Sequence, residues 1–208
     1  MFDVSWLLFI VASLLLIATP GQDMILVMSR SIAQGAAAGV VTAAGVSVGL
    51  VGHTVLATLG LGALLRASEW LFVALKLVGA AYLVWLGIQL LRTRTAQLPV
   101  HGGVHRSLGR LFRDGALSNL SNPKIAIFYF AFLPQFVLPQ AAHPAQAVFV
   151  LGLLFAALTF IVKAPVGLGA GLLSAWLRAR PRVLTWLNRT SGAVLIGLGV
   201  KLAFERRA

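Results

Sequence analysis

The chain contains no cysteine, and only five of its 208 residues are acidic. Without thiols it can form neither disulfides nor thiolate metal sites. Charged residues make up 11% of the chain, against about a quarter in ordinary globular domains. Hydrophobic residues make up 59%, which is more apolar surface than a soluble protein of this size can bury. The composition therefore indicates an integral membrane protein.

The apolar residues fall into six runs, each long enough for a helix that crosses the hydrocarbon, which takes about 20 residues. The runs are too long for strands and lack the alternation of polar and apolar residues that a β-barrel requires. We therefore predict an all-α membrane protein of six transmembrane helices, forming a single transmembrane domain over residues 1–208. The predicted spans cover about residues 5–28, 38–64, 70–91, 115–137, 146–173 and 183–204.

The net charge of +12 is distributed unevenly between the two ends of these helices. Nine of the 17 basic residues lie in the loops after the first, third and fifth spans, and three lie on the opposite side. The positive-inside rule therefore predicts that the loop at about 92–114 is cytoplasmic and that both termini are outside. Basic loops of this kind face anionic lipid, so we expect the bilayer rather than nucleic acid as the partner.

The basic loop divides the chain into repeats of about 1–95 and 110–208, with three spans in each. Because three is odd, two halves of similar fold would lie upside down relative to each other, as in many secondary transporters. Each half begins with a span that contains a proline, Pro20 in the first and Pro123 in the fourth. We therefore predict two inverted three-helix repeats in which helices one and four are broken at proline.

The two proline breaks predict the substrate site. Proline cannot donate a backbone hydrogen bond, so Pro20 frees the carbonyl of Leu16 and Pro123 frees that of Asn119. Freed carbonyls in a membrane must face protein or a water-filled cavity, and matching polar breaks in two halves point to a transport site. The predicted substrate-binding residues are Thr19, Pro20, Gly21, Gln22, Asp23, Asn119, Asn122, Pro123 and Lys124.

Three ionisable residues within the spans are candidates for coupling or ion pairing: Asp23, Lys163 and His53. A charge at mid-membrane costs about 2.5–3.5 kcal/mol on insertion scales, which favours a functional role for Asp23 and for Lys124. Two alternatives stay open. Lys163 and Asp23 could form a buried ion pair that binds nothing, and His53 could be neutral and bonded to a carbonyl instead of relaying protons. We expect no metal and no cofactor, and we interpret the pair His101 and His105 as part of a solvated loop.

The motifs TPGQDMILVMSRSIAQGAAAG, LKLVGAAYLVWLGIQLLR, SNPKIAIFYFAFLPQF and LNRTSGAVLIGLGVKLA follow one another along the chain. Together they resemble the lysine-exporter family (LysE/RhtB type). The resemblance implies six helices in a bacterial inner membrane and the efflux of amino acids or their derivatives, driven by ion gradients. The chain also lacks the phosphate loop GxxxxGK[ST] of ATP-driven pumps. Family members usually have a second proline where this chain has Gln22.

The sequence thus predicts a secondary transporter that exports amino acids by proton antiport and alternating access. The helix N-termini after Pro20 and Pro123, with Lys124, would hold the substrate carboxylate, and Asp23 would bind its ammonium group or the coupling proton. The alternatives are a membrane-embedded enzyme or scaffold without transport activity, and an exporter of another solute such as a cation. A homo-oligomer is compatible with the sequence.

The charge distribution makes a prediction about topology. In a Gly103→Cys variant the introduced thiol is the only one in the chain, so its labelling is unambiguous. We expect an impermeant maleimide to label it in inverted membrane vesicles and not in intact cells. Labelling from the periplasm would overturn the predicted orientation.

Overall fold

The computed structural model describes residues 4–67, 69–93, 105–138, 141–170, 172–173, 176 and 180–204. Residues 94–104 of the predicted cytoplasmic loop, which include His101, lie outside the described residues. The helices within them are α1 (Trp6–Ala18), α2 (Gln22–Gln34), α3 (Ala36–Ala67), α4 (Glu69–Arg92), α5 (Leu108–Leu120), α6 (Pro123–Phe132), α7 (Pro144–Leu168) and α8 (Pro181–Phe204), with a short 3-10 helix at Leu133–Phe136.

The prediction of a helical membrane protein is confirmed. In the described part of the chain, three stretches are long and apolar enough to cross a membrane: Ala36–Gly60, Pro144–Leu168 and Arg182–Phe204. The pair α1 and α2, bent by 51° at its break, makes a fourth if it is one span. The helices are interrupted at Pro20 and Pro123, as predicted. Six spans in two inverted repeats stay a prediction.

One predicted boundary is wrong. The basic loop was expected to reach residue 114, whereas α5 already begins at Leu108. Its inner face repeats every fourth residue, since Leu111, Gly115 and Asn119 are all buried. The arginines of this segment lower its mean hydropathy, although they lie on the outer face of an amphipathic helix. The expected span 115–137 is therefore the end of α5, then α6 and the 3-10 helix.

The first predicted span also differs from the structure, because α2 continues six residues beyond the predicted end at 28. It ends at Gly35, which has a φ of 89°. A residue with a side chain rarely adopts this left-handed conformation, so glycine permits the sharp turn into α3.

Helix α3 lies at the centre of the bundle and packs most extensively against α7 and α5. Gly39 faces Gly167, and Thr54 faces Gly152, so α3 and α7 run antiparallel. Gly45 lies against the backbone of Phe112, and α3 runs parallel to α5 because Gly49 in turn meets Ala116. Small residues at these crossings let the helix backbones touch, as is usual for helices packed in a membrane.

Helices α4 and α8 form the second large contact, and they also run antiparallel. Gly87 faces Gly192, and two turns away Ala80 faces Gly199. The contact again joins backbone to backbone, without large side chains between the helices. The third helix of each half therefore packs against its counterpart, as the second helices α3 and α7 do.

An aromatic cluster closes the end of the bundle where the described chain begins. The ring of Phe9 meets that of Phe136 edge-on at 5.2 Å, and Phe132 stacks on Phe128 at 4.6 Å. The backbone amide of Ser5 donates to the carbonyl of Phe136 at 2.8 Å. Phe9, Phe132 and Phe136 are fully buried, so this end of the bundle has a packed aromatic core.

The close contact of α3 with α5 predicts a stability difference between two glycine variants. A methyl group at Gly45 would press on the carbonyl oxygen of Phe112 and lie 3.1 Å from the amide nitrogen of Ala116. Because both are backbone atoms, we expect Gly45→Ala to cost about 1–3 kcal/mol. Gly197 has nothing within 4 Å of the added carbon, so Gly197→Ala is the control. Thermal unfolding in detergent measures both, and equal midpoints would contradict the packing.

Candidate functional site

The two proline breaks lie next to each other in the middle of the bundle. In the first, Thr19 is the C-cap of α1 and Gly21 is the N-cap of α2, and both have extended backbones. In the second, Asn122 caps α6, its Oδ1 accepting from the backbone amide of Lys124 at 3.0 Å. Asn122 Nδ2 also donates to Gln22 Oε1 at 3.2 Å. Gln22 thus joins the two breaks.

The carbonyl that Pro123 frees finds its donors within the protein. The oxygen of Asn119 accepts from the amide of Asn122 at 3.0 Å and lies 3.0 Å from His53 Nε2. A carbonyl only accepts, so Nε2 of the imidazole carries a proton, as assigned from this contact. His53 is therefore bonded to a carbonyl, and both interpretations of its role stay predictions.

The backbone carbonyls at the first break also find hydrogen-bond donors within the protein. The amide of Thr19 donates to the carbonyls of both Leu15 and Leu16, each at 3.2 Å. The Leu15 carbonyl also accepts from the Thr19 hydroxyl at 2.8 Å and from the Ser191 hydroxyl of α8 at 3.0 Å. Both breaks are therefore stabilised by hydroxyl or imidazole groups, because lipid offers no donors.

A cavity of about 380 Å³ lies at the breaks. It extends from the rings of Tyr129 and Phe155, at the aromatic end of the bundle, to Gln89, close to the end of α4. Its lining is mostly apolar, with polar groups concentrated at the two breaks. The lining residues are Leu16, Ile17, Thr19, Pro20, Gly21, Gln22, Asp23, Met24, Leu50, Tyr82, Leu86, Gln89, Leu90, Asn122, Lys124, Ile125, Phe128, Tyr129, Phe155, Thr159, Lys163 and Leu195.

Asp23 is the electrostatic centre of this cavity. Its Oδ2 accepts from Asn119 Nδ2 at 2.9 Å and from Lys163 Nζ at 3.3 Å. The side chains of Asp23 and Lys163 are only 13% and 9% exposed, so the ion pair is largely removed from solvent. An isolated charge here would be expensive, and the pairing offsets much of that cost.

The pair presents one carboxylate and one ammonium group to the cavity. A zwitterionic amino acid carries the same two groups and could exchange partners with them, its ammonium binding Asp23 and its carboxylate binding Lys163. Within the described residues no cluster of three His, Asp or Glu side chains could hold a metal ion.

Most of the predicted site residues line the cavity, but three do not. Thr19 to Asp23, Asn122, Lys124 and Lys163 all contribute to its surface. Asn119 and His53 are buried behind Asp23, and Pro123 is not part of the lining. Lys124 is exposed and makes no ion pair among the described residues, and the cation beside Asp23 is Lys163.

Sequence reasoning missed Tyr82, Tyr129 and Ser191. The chain has only two tyrosines, and both line the cavity. Their position in mid-span, away from the interfaces where tyrosine is enriched in membrane proteins, was a usable signal. The Tyr82 hydroxyl donates to the carbonyl of Lys124 at 3.0 Å, which links α4 to the second break. Ser191 carried no such signal, since one serine in a glycine-rich helix is ordinary.

A translocator family model matches residues 14–206, nearly the whole chain. The chain belongs to the LysE type translocator family. The resemblance inferred from its motifs is confirmed, and so is the expectation of a transporter rather than an enzyme.

Several bacterial proteins resemble this LysE type translocator over nearly their full lengths. A homoserine/homoserine lactone efflux protein of Salmonella typhimurium is 36% identical over 204 residues, 98% of each chain. An uncharacterized membrane protein of Vibrio cholerae is 33% identical, covering 95% of this chain and 96% of its own. A leucine efflux protein of Klebsiella pneumoniae is 28% identical, covering 96% and 94%. No solved structure matches significantly.

The ion pair predicts how variants of this translocator fold. Lys163→Met leaves the Asp23 carboxylate buried without its cation, which should cost about 3–5 kcal/mol and lower the yield of folded protein. The double variant Asp23→Asn with Lys163→Met keeps the hydrogen bond to Asn119 and removes both charges, so the yield should recover. Size-exclusion chromatography of the membrane extracts gives the yields. If the double variant is no better than Lys163→Met, the two side chains are not paired.

Proposed function

We propose that this translocator exports neutral amino acids or their derivatives across the bacterial inner membrane by proton antiport. The observation that carries the proposal is the Asp23–Lys163 ion pair in a cavity formed by two broken helices. The family, together with the relatives named as homoserine/homoserine lactone and leucine efflux proteins, supports amino-acid export as the activity. The substrate class, the coupling ion and the roles of individual residues are the proposed part.

The substrate displaces the ion pair. As an amino acid enters, its ammonium group takes the place of Lys163 beside Asp23, and its carboxylate pairs with the released lysine. The charges stay compensated throughout, so neither protein group is left bare in a medium of low dielectric constant. Gln22, Asn122 and the hydroxyl of Thr19 offer neutral hydrogen bonds at the same end of the cavity.

The lining favours a neutral side chain. Asp23 is the only acid in it, and the substrate ammonium occupies that carboxylate. A lysine or arginine substrate would bring a second cation into a surface formed largely by Leu, Ile and Phe side chains, where it would be unpaired. The relatives named for leucine and homoserine, both neutral amino acids, support this assignment.

Asp23 also provides the coupling. A carboxylate binds a proton or an ammonium group, but not both, so proton and substrate compete for it. Export with proton import then follows without further groups. To His53 we assign a supporting role, because its Nε2 is committed to the Asn119 carbonyl, and Asn119 in turn holds Asp23. Its Nδ1 has no partner among the described residues, so a relay through His53 stays an alternative.

Alternating access explains the asymmetry of the cavity. One end of it lies against the buried aromatic cluster, and the other end reaches Gln89 near the end of α4, beside the basic loop. By the positive-inside assignment this is the cytoplasmic side, so the structure corresponds to a state ready to load substrate from the cell. Release would require the contact of Ser5 with Phe136 and the aromatic cluster behind it to separate.

The inverted repeat fits the same mechanism. The antiparallel pairs α3 with α7 and α4 with α8 join counterparts of the two halves, and the two breaks adjoin. Six spans, a single domain and outside termini complete the proposal. A homo-oligomer stays a prediction, and nothing observed favours a scaffold, an enzyme or a cation exporter.

The transport experiment uses purified protein in liposomes. We expect counterflow of labelled leucine or homoserine at least tenfold faster than that of lysine, and leucine efflux driven by an imposed pH gradient. Asp23→Asn should lose the gradient-driven efflux. Asp23→Asn with Lys163→Met, expected to fold normally, should lose it too. His143→Asn removes an exposed titratable group outside the cavity and serves as the control.

Three outcomes would each contradict a different part of the proposal. Lysine exchanging as fast as leucine would contradict the neutral substrate class. A folded double variant that pumps leucine at the wild-type rate would remove the ion pair from the mechanism. Efflux that ignores the pH gradient in the wild-type protein would contradict proton antiport, while leaving amino-acid export intact.

A further inference from the structure

The outer face of α5 combines unpaired cations with exposed leucines. Arg110 and Arg113 are exposed in its first two turns, and Leu117 and Leu120 continue the same face with 60% and 42% of their surfaces exposed. The opposite face packs against α3 through Leu111 and its neighbours. In a bilayer such a stripe would place guanidinium groups at headgroup level and leucines among the acyl chains.

A second cavity, of about 400 Å³, lies at the basic end of this stripe. Arg106, Arg110, Arg113, Asp114 and Leu117 line it. It lies in a different part of the molecule from the cavity at the proline breaks and shares no residue with it. Four of the five lining side chains are charged and one is apolar, so the cavity offers both ionic and apolar contacts.

Among the described residues, the positive charges at this cavity exceed the negative ones. The Asp114 carboxylate accepts a short hydrogen bond from Arg106 and lies 3.8 Å from Arg30 Nη2, so two arginines already share it. Neither the Arg110 nor the Arg113 guanidinium has a hydrogen bond or an ion pair within the described residues. The sequence from 93 to 113 contains no acid, so this stretch of chain supplies no counter-charge either.

We propose that this cavity binds the phosphate of an anionic phospholipid. Arg110 and Arg113 donate to the phosphate oxygens, for which the planar guanidinium is well suited, and Arg106 completes the basic wall. The acyl chains lie along Leu117 and Leu120. A free phosphate would satisfy only the arginines, whereas a lipid also covers the apolar stripe that begins one turn beyond Arg113.

The test measures lipid binding by the full-length protein in zwitterionic detergent micelles. Phosphatidylglycerol, phosphatidylcholine of the same chain length and glycerol 3-phosphate are added separately, and native mass spectrometry counts the bound molecules. We expect phosphatidylglycerol to bind at least tenfold more tightly than either of the others. Arg110→Gln with Arg113→Gln should abolish this preference. Arg182→Gln, which removes an exposed arginine at the start of α8, should keep it.

Leu117→Gln separates the two sources of phosphate. It leaves the arginines in place and removes the apolar wall, so it should weaken the binding of phosphatidylglycerol but not that of glycerol 3-phosphate. Equal binding of phosphatidylglycerol and phosphatidylcholine would overturn the proposal, as would unchanged binding by the double arginine variant. Binding of glycerol 3-phosphate as tight as that of the lipid would show a site for a soluble anion instead.

Discussion

A backbone carbonyl freed within a membrane must find a donor in the protein itself, and the centre of this structure depends on that constraint. Two prolines interrupt two helices at adjoining positions, and each break would be costly if it faced lipid. His53 reaches the carbonyl freed by Pro123, while Ser191 reaches the carbonyl of Leu15. These donors come from α3 and α8, so helix breaking and helix packing are inseparable here.

Close packing by glycine makes those contacts geometrically available. Because Gly49 has no side chain, Asn119 can lie directly against α3, within reach of both His53 and Asp23. Were α5 held away by a larger residue, the imidazole would not reach the carbonyl. The small residues along α3 thus do more than join helices. They set the distance at which the polar groups of two helices meet, and thereby the position of the carboxylate in the cavity.

The ion pair in the cavity meets two physical requirements. Asp23 and Lys163 must compensate each other while the site is empty, since neither tolerates burial alone. In the proposed mechanism the same pair offers an incoming zwitterion one partner of each sign, so the substrate replaces interactions that already exist in the protein. The proposal then assigns selectivity for the rest of the substrate to the apolar walls around Phe128 and Leu86. The amide–amide contact of Gln22 with Asn122 holds the two breaks together at that place.

Composition and periodicity alone determined the membrane environment, the helical class and the positions of both breaks, because each depends on local properties: apolar length and the missing amide of proline. The site residues from Thr19 to Asp23 followed from the same local reasoning. The start of α5 at Leu108 could not be predicted in this way. Its arginines make the segment polar on average, and its buried face is defined only by packing against α3 in the tertiary structure. Whether Asp23 would pair with Lys124 or with Lys163 was decided by tertiary structure. Both lysines lie within predicted spans, so the sequence does not distinguish them. Only α7 brings its lysine to the carboxylate of Asp23, 140 residues away along the chain.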